Sequence, residues 1–382
     1  MARFLFHISH PDTWDNLKLD TSRVLIKGAS IAGLTAAARL KKSSGKDKDF
    51  ECFIDGEFYQ NTLIAGYEFD YAPLFSLPAT YRDFFQKTGK HFGQVLQVEP
   101  KDPAFVYRFE DLEINFANLS HSARVEELRN KLGESAANEW DLLIKSGEYF
   151  WDRLRENYIE WEYSFSRANI PIYLRLRAPY IQNQYLKRIV AHYATYFGYP
   201  AGIYKWSTMV AFAEESFGIW QIQGGIGALT EALKLRALDL GVKFERPSNF
   251  EYFIECEESY SRPAQRFIGI KSYPHKLPIR TVIFHKSGLT TDIYATENSS
   301  GNYSLVLTGK LDISEFDQYS EVDQIRPAIQ GTGDNRLVTK IRTANKKNFK
   351  VRHLDSLAHG AIAGELLANA LRGIKNRPSH EH

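Results

Sequence analysis

The 382-residue sequence is short of sulfur, with two cysteines and two methionines. Cys52 and Cys256 lie far apart with no histidine cluster beside them, so their spacing supports neither a zinc site nor a disulfide framework. Both read as reduced structural thiols. Long apolar runs are missing too: no stretch reaches the ~18 residues of a membrane-spanning helix. The opening MARFLFHISHPDTWDN meets polar and charged residues before an apolar run of signal-peptide length can form. The expectation is a cytoplasmic protein, soluble or peripherally attached to a membrane. Charge of one sign is not in excess, since 48 Lys and Arg face 46 Asp and Glu for a net +2. No global field therefore draws the chain to nucleic acid, and any basic patch must be local. Internal repeats and low-complexity segments are absent.

What is present is globular: 43% hydrophobic and 25% charged residues give ample material for a core. The length implies two domains, or one domain with a large insertion. Aromatic residues reach 14%. They crowd between Tyr149 and Trp206, where Phe150, Trp151, Tyr158, Trp161, Tyr163, Phe165, Tyr173, Tyr180 and Tyr185 fall. Such a band suits the lining of a tunnel for an apolar chain, and it equally suits ordinary core and rim.

Residues 23–40, RVLIKGASIAGLTAAARL, begin as a short apolar strand, turn at Gly28 and continue as an Ala/Leu-rich helix. The polar KKSSGKDKD reads as a loop, and FECFID as a second strand ending on an acid. This is the opening βαβ unit of a doubly wound sheet. From about 120 to 160 amphipathic helices take over, and helical character persists through QYLKRIVAHYATYF. GGIGALTEALKLRALDLGVKFE then gives a glycine turn, a helix and a strand, and residues from about 250 to 312 read as antiparallel strands. SLAHGAIAGELLANALRG is a last helix, and the tail NRPSHEH frays.

Gly28, Ser30 and Gly33, with Ile31 and Ala32 between the last two, form a G-x-G-x-x-G turn whose middle glycine is replaced. The first glycine makes the bend, the second admits a pyrophosphate, and the third lets helix pack on strand. The helix N-terminus attracts the phosphate charge. Asp55 lies 22 positions after Gly33, near the spacing at which an acid meets a ribose hydroxyl. Ser30 either crowds the phosphate or donates a hydrogen bond to it; a tight βα turn carrying no ligand is the alternative.

GASIAGLTAAARL resembles the flavin-binding pattern of the phytoene desaturase and amine oxidase superfamily, and further blocks follow in that family's order. YEFDYAP is similar to its F-D-x-G-P element, and TYRDFFQKTGK to the helix after it. YFGYPAG, FGIWQIQGGIGALTEAL and LGVKFE resemble its G-x-x-P and G-x-W-x-x-x-GG-x-x-x-L blocks and the strand beyond, and LAHGAIAGELLANAL resembles its closing flavin helix. The resemblance implies an α/β fold: a discontinuous, Rossmann-like FAD-binding domain with an inserted helical and antiparallel-sheet substrate domain. Residues 1–85, 205–255 and 330–382 would form the first, and 86–204 and 256–329 the second. It further implies FAD as cofactor and hydride transfer to or from an apolar, isoprenoid-derived substrate. Carried over position by position, Gly28, Ser30, Ile31, Ala32 and Gly33 match the pyrophosphate turn, Asp55 the ribose acid, Gly224, Gly225 and Gly227 the internal glycine block, and His359 and Gly360 the pair opening the last flavin helix. Residues 356–372 should return to lie near Gly28–Leu40, and the strand after Gly241 should join or abut the sheet containing Val24–Lys27.

The chain departs from the pattern at Ser30, in lacking a G-G-Arg element after Asp55, and in being shorter than the usual member. A flavin-free relative acting as a binding or assembly partner is the alternative, and a soluble NAD-dependent dehydrogenase a more distant one. Spacing assigns no catalytic acid or base. Hydride transfer chiefly demands orientation and exclusion of water. The run Lys340, Arg342, Lys346, Lys347, Lys350 and Arg352 reads as a solvated loop or as a contact for anionic lipid heads. His7, His10 and His353 read as surface residues.

Overall fold

In the computed structural model, residues 23–43, 51–70, 74–75, 78–158, 180–193, 205–250, 252–256, 263–298, 300–328, 338–342 and 348–352 are described. The chain opens with β1 (Arg23–Lys27), α1 (Ile31–Ser43) and β2 (Glu51–Asp55). A hairpin of β3 (Thr62–Ile64) and β4 (Tyr67–Phe69) follows, then β5 (Leu74–Phe75), α2 (Pro78–Thr88), α3 (Phe92–Val95) and β6 (Val98–Pro100). β7 (Phe105–Arg108) and β8 (Glu113–Phe116) lead to α4 (His121–Leu132), α5 (Glu134–Tyr158), α6 (Gln184–Tyr193) and α7 (Lys205–Phe217). Next come β9 (Trp220–Ile222), α8 (Gly225–Asp239) and β10 (Tyr252–Glu255). The strands β11 (Gln265–Ile270), β12 (Arg280–Phe284), β13 (Thr290–Glu297), β14 (Tyr303–Gly309) and β15 (Ser320–Arg326) precede a final hairpin, β16 (Val338–Arg342) and β17 (Asn348–Arg352).

The opening unit folds as its pattern dictates. Val24, Leu25 and Ile26 are fully buried, and β1 sits between β10 and β2 with parallel pairing on both sides. Parallel strands need cover on both faces, hence the unbroken apolar run. α1 supplies cover with Leu34, Ala36, Ala37, Ala38 and Leu40, all fully buried. These small side chains let it lie close to α8, whose Leu229, Leu233 and Ala237 join the same core. The segment after Gly241 meets this sheet as a single parallel bridge rather than a full strand. Lys243 pairs with Phe53, Ile54 N–H donating to its carbonyl at 2.8 Å and its own N–H donating to the Cys52 carbonyl at 2.9 Å. Both cysteines are buried, and no disulfide joins them.

The larger sheet has seven strands in the order β15-β11-β14-β13-β12-β7-β8 and is mixed, because β12 and β7 run parallel while its other neighbours are antiparallel. Sequence patterning located β11 to β14. β7, β8 and β15 extend that sheet from segments whose patterning was not read as strand. On one face, α4 to α7 cover the β7–β8–β12 end through Phe105, Tyr107, Phe116, Trp140 and their neighbours. The β3–β4 hairpin covers the other end: the Phe69 ring lies 5.1 Å from that of Phe267, and the Tyr67 hydroxyl donates to Glu321 at 2.8 Å.

The described residues bear on two expectations in part, and Lys346 and Lys347 lie outside them. Lys340, Arg342, Lys350 and Arg352 do not lie on a loop: β16 and β17 pair antiparallel, with Lys340 opposite Lys350 and Arg352 opposite Val338. Val338, Ile341, Phe349 and Val351 supply strand-forming residues that the density of charge obscured. In the aromatic band, Phe150 and Trp151 are core residues, Trp151 lying 5.2 Å from the Phe217 ring, whereas Tyr149 and Tyr180 are exposed. Trp161, Tyr163, Phe165, Tyr173, the three surface histidines and the closing helix at 356–372 lie outside the described residues. Among the described residues no helix is long and apolar enough to cross a membrane.

The hairpin docks because Gly269 leaves room for it; a Cβ there would stand 2.7 Å from the Tyr67 ring. Gly269→Val should lower stability by about 1–3 kcal/mol, the usual cost of overpacking, and Tyr67→Leu in the same chain should recover part of the loss. Thermal melts of both variants and the double variant check this, and strict additivity would deny the contact.

Candidate functional site

Three glycines converge where β1 meets α1. Gly28 takes φ +93°, which glycine alone adopts readily, and its N–H donates to the Asp55 carbonyl at 2.7 Å. A Cβ on Gly33 would collide with the Gly28 carbonyl, so helix and strand approach as closely as backbone permits. Gly56, at φ +132°, completes the group: a Cβ there would lie 3.1 Å from Gly28 Cα. The sequence reading passed over Gly56, for which the only signal was an Asp-Gly pair at a strand end.

Ser30 is the N-cap of α1. Its Oγ accepts from Gly33 N–H at 3.2 Å and donates to the Cys256 carbonyl at 2.8 Å, while Cys256 N–H donates to the Lys27 carbonyl at 2.7 Å. The hydroxyl therefore fastens the turn to the end of β10. A serine has one proton to give, and here Cys256 receives it. Ile31 and Ala32 start the helix, whose first turn carries no acid, leaving its N-terminal dipole uncompensated by carboxylate from within the helix. The Asp55 side chain is half-exposed beside Gly28, with Arg246 at 3.5 Å.

Gly224, Gly225 and Gly227 form the N-terminus of α8. Gly224 is its N-cap at φ +80°, and a Cβ on Gly225 or Gly227 would strike Asp70 or Asn61 respectively. Those two side chains take the first amides: Ile226 N–H donates to Asp70 at 2.6 Å and Gly227 N–H to Asn61 at 3.0 Å. Tyr59 donates to Asp70 at 3.2 Å, and Asn61 donates to the Gly224 carbonyl at 3.0 Å and to Glu68 at 2.8 Å. The anion at this helix end is thus an internal one. Asp70 belongs to the F-D-x-G-P-like element, so two sequence blocks meet as one cap. The structure brings Gly28, Ser30, Ile31, Ala32, Gly33 and Asp55 together at one turn and joins α8 to it through the shared core. His359 and Gly360 lie outside the described residues.

A second constellation, invisible to spacing, occupies the interface of α4, α6 and α7 with the large sheet. Arg280 pairs with Asp292 at 3.1 Å, and His192 meets the same carboxylate at 3.1 Å. Burial opposes ionisation of Asp292, but His192 and Arg280 outweigh it and hold the carboxyl below its usual range. Tyr107 and Tyr193 share a hydrogen bond of 3.1 Å. Arg124, fully buried, stands 3.6 Å from Glu215. Glu215 also accepts from Trp140 at 2.8 Å and contacts His121 at 2.5 Å, and His121 reaches Asp141 at 3.1 Å near the surface. Glu214, on the adjacent position of α7, is buried. Burial pushes its carboxyl up to about 7, against the pull of Arg280 and Arg124 and a hydrogen bond with Tyr193.

Glu214 makes stability depend on pH. Its carboxyl moves from an ordinary 4.5 to about 7 on folding, so the native state keeps a proton that the unfolded chain releases between those values. Stability should fall by ~3 kcal/mol as pH rises through that window and level off above it. Glu214→Gln, which cannot ionise, should remove that component of the slope and melt higher than wild type at pH 8 relative to pH 5. Parallel pH slopes for both proteins in chemical denaturation would contradict the assignment.

No family model matches the chain. It is 22% identical over 232 residues to a neurosporene-forming phytoene desaturase of Cereibacter sphaeroides, covering 56% of this chain and 44% of that one. It is 23% identical over 256 residues to a 4,4'-diapophytoene desaturase of Staphylococcus haemolyticus, covering 60% and 49%. The chain thus spans about half the length of the curated relatives it matches. Among solved structures, a redesigned double mutant of putrescine oxidase superposes with a TM-score of 0.54 at 11% identity, over 92% of this chain and 99% of that one. An oxidoreductase from Methanosarcina mazei gives 0.51 at 11% identity, over 82% and 88%. These likenesses show a shared mixed α/β fold with a large mixed sheet. In the order of its sequence blocks, its curated relatives and its fold, the chain is similar to the phytoene desaturase and amine oxidase superfamily of FAD-dependent oxidoreductases.

Proposed function

We propose that the protein is an FAD-dependent oxidoreductase that moves hydride to or from an apolar, isoprenoid-derived substrate. The observation that carries this reading is the convergence of Gly28, Gly33 and Gly56 beside Asp55 at the N-terminus of α1. Bare Cα atoms at that turn fit the close approach of a pyrophosphate, the helix dipole favours its charge, and the Asp55 carboxylate suits a ribose hydroxyl. FAD, when bound, would supply the hydride-accepting or hydride-donating ring. The chain's own part is to bind and orient. Gly28 and the first turn of α1 would hold the phosphates, Asp55 the ribose, and the apolar faces of the sheet and helices would keep water from the reacting carbon. The discontinuous dinucleotide-binding domain, made from the β1–α1–β2 unit, α8 with β10 and the closing segment, belongs to the same proposal. The desaturase names of the curated relatives support an isoprenoid substrate.

A second reading has its own observation. Ser30 spends its proton on Cys256, and the α8 amides are taken by Asp70 and Asn61, which suits a flavin-free relative whose turns are closed on themselves.

FAD titration of the purified protein, followed by flavin fluorescence and visible spectrum, separates the two. The first reading expects saturable binding that Gly28→Val weakens more than about tenfold, because a β-branched residue cannot take the bend. A wild-type protein that takes up no FAD in excess supports the second. Ser30→Ala should cost about 1 kcal/mol of stability in either case through loss of the helix cap. An unchanged melting temperature in that variant would mean the cap carries nothing.

A further inference from the structure

β2 ends at Asp55, at the carboxyl end of the parallel β10–β1–β2 sheet. In open α/β sheets ligands bind in the crevice beyond those strand ends. The acid is tied to the glycine turn, since its carbonyl accepts from Gly28 N–H at 2.7 Å. Residues 56–70 hold neither arginine nor lysine, so the chain that leaves β2 brings no cation to this acid.

A cation arrives from beyond α8. The chain after Gly241 runs parallel to the outer edge of β2, where Phe53 pairs with Lys243 and the bonds of Lys243 to Cys52 and Ile54 fix the register. Arg246 lies three residues further in the same direction, which carries it level with the end of β2. Its Nη1 stands 3.5 Å from Asp55 Oδ2. That separation is close enough for charge but too long for a hydrogen bond, whose N–H···O span is about 2.7–3.2 Å. Both side chains open to solvent, Arg246 being 66% and Asp55 37% exposed. The other two cations of this edge, Arg23 and Lys243, are engaged with Glu51.

A hydroxyl fits between the two groups. An oxygen about 2.7–2.9 Å from each bridges the 3.5 Å that separates them, and a hydroxyl can accept from the guanidinium while it donates to the carboxylate. A phosphate in that place would bring its charge against Asp55, and an ammonium would bring its charge against Arg246. A ribose, with two neutral hydroxyls side by side, suits the pair.

We propose that Arg246 is a second ribose-positioning residue of the dinucleotide site, donating to the ribose hydroxyl whose proton goes to Asp55. The inference rests on the dinucleotide reading above and deepens it: the pair selects an adenosine ribose whose 2′ and 3′ hydroxyls are both free.

Calorimetric titration of the full chain with ADP and with 2′,3′-dideoxy-ADP tests this, using wild type and Arg246→Met. ADP carries the adenosine and both phosphates without the flavin ring, so no activity is read. Wild type should bind ADP about tenfold more tightly than the dideoxy compound, and Arg246→Met should weaken ADP about tenfold while leaving the dideoxy compound nearly unchanged. Since the Arg246 side chain is largely exposed, the substitution leaves the core intact. Equal losses for both nucleotides would make Arg246 a general attractant for phosphate and overturn the proposal, as would unchanged ADP binding in the variant. Titration with FAD separates this from the parent reading. A wild type and an Arg246→Met variant that take up FAD equally well defeat the ribose role alone; a wild type that takes up neither FAD nor ADP defeats both.

Discussion

The backbone contact between α1 and β1 is the constraint on which much else depends. Because Gly33 has no side chain, the helix settles against the Gly28 carbonyl, and only at that distance can Ser30 reach the Cys256 carbonyl across the end of β10. β1 is thereby fixed between β2 and β10, and the alanine face of α1 is presented to α8. A methyl group at position 33 would push the helix off the sheet. The glycine turn, the cap and the interhelix contact would go together.

A second joint ties this unit to the large sheet. β4 is three residues long, yet its alternation serves two masters: Tyr67 and Phe69 point into the core shared with Phe267, Val306 and Val322. Glu68 turns outward to accept from Asn61, and Asp70, the next residue after the strand, caps α8. A buried carboxylate is costly unless it is well bonded, and the Ile226 amide together with the Tyr59 hydroxyl makes Asp70 tolerable. The same carboxylate explains why Gly225 must be glycine. The period of two in a strand is what lets four consecutive residues reach two different elements.

The helical side of the large sheet is polar inside as well as aromatic. Arg124, Arg280, Glu214, Glu215 and Asp292 all lie in or against the core that Trp140 and Tyr107 dominate. Guanidiniums on aromatic faces retain part of their solvation through the ring quadrupole, and paired carboxylates balance the rest. Such an interior is adjusted by single protons and single hydrogen bonds. Its energetics depend on pH near neutrality in a way an all-hydrocarbon core would not.

The sequence by itself determined the local elements and the glycine turn. RVLIKGASIAGLTAAARL has one physically sensible fold, since its apolar run, its bare Cα atoms and its alanine face each demand the same strand, turn and helix. The strands from Gln265 to Gly309 were legible in the same way, through alternation. The β16–β17 hairpin was not, because dense lysine and arginine mask its few apolar residues, and those of β16 do not keep a period of two. Only the tertiary structure decided which polar groups meet. Ser30 donates its proton to Cys256, 226 positions away, a partner that no spacing announces. The amides at the internal glycine block proved to be met by Asp70 and Asn61, more than 150 positions earlier in the chain. Nothing in the spacing of Arg124, Glu214, Arg280 and Asp292 joins them. Hydrogen bonds and ion pairs act over a few ångströms of space, and the chain folds those distances out of separations that sequence periodicity, which registers only neighbours on one strand or one helix, does not contain.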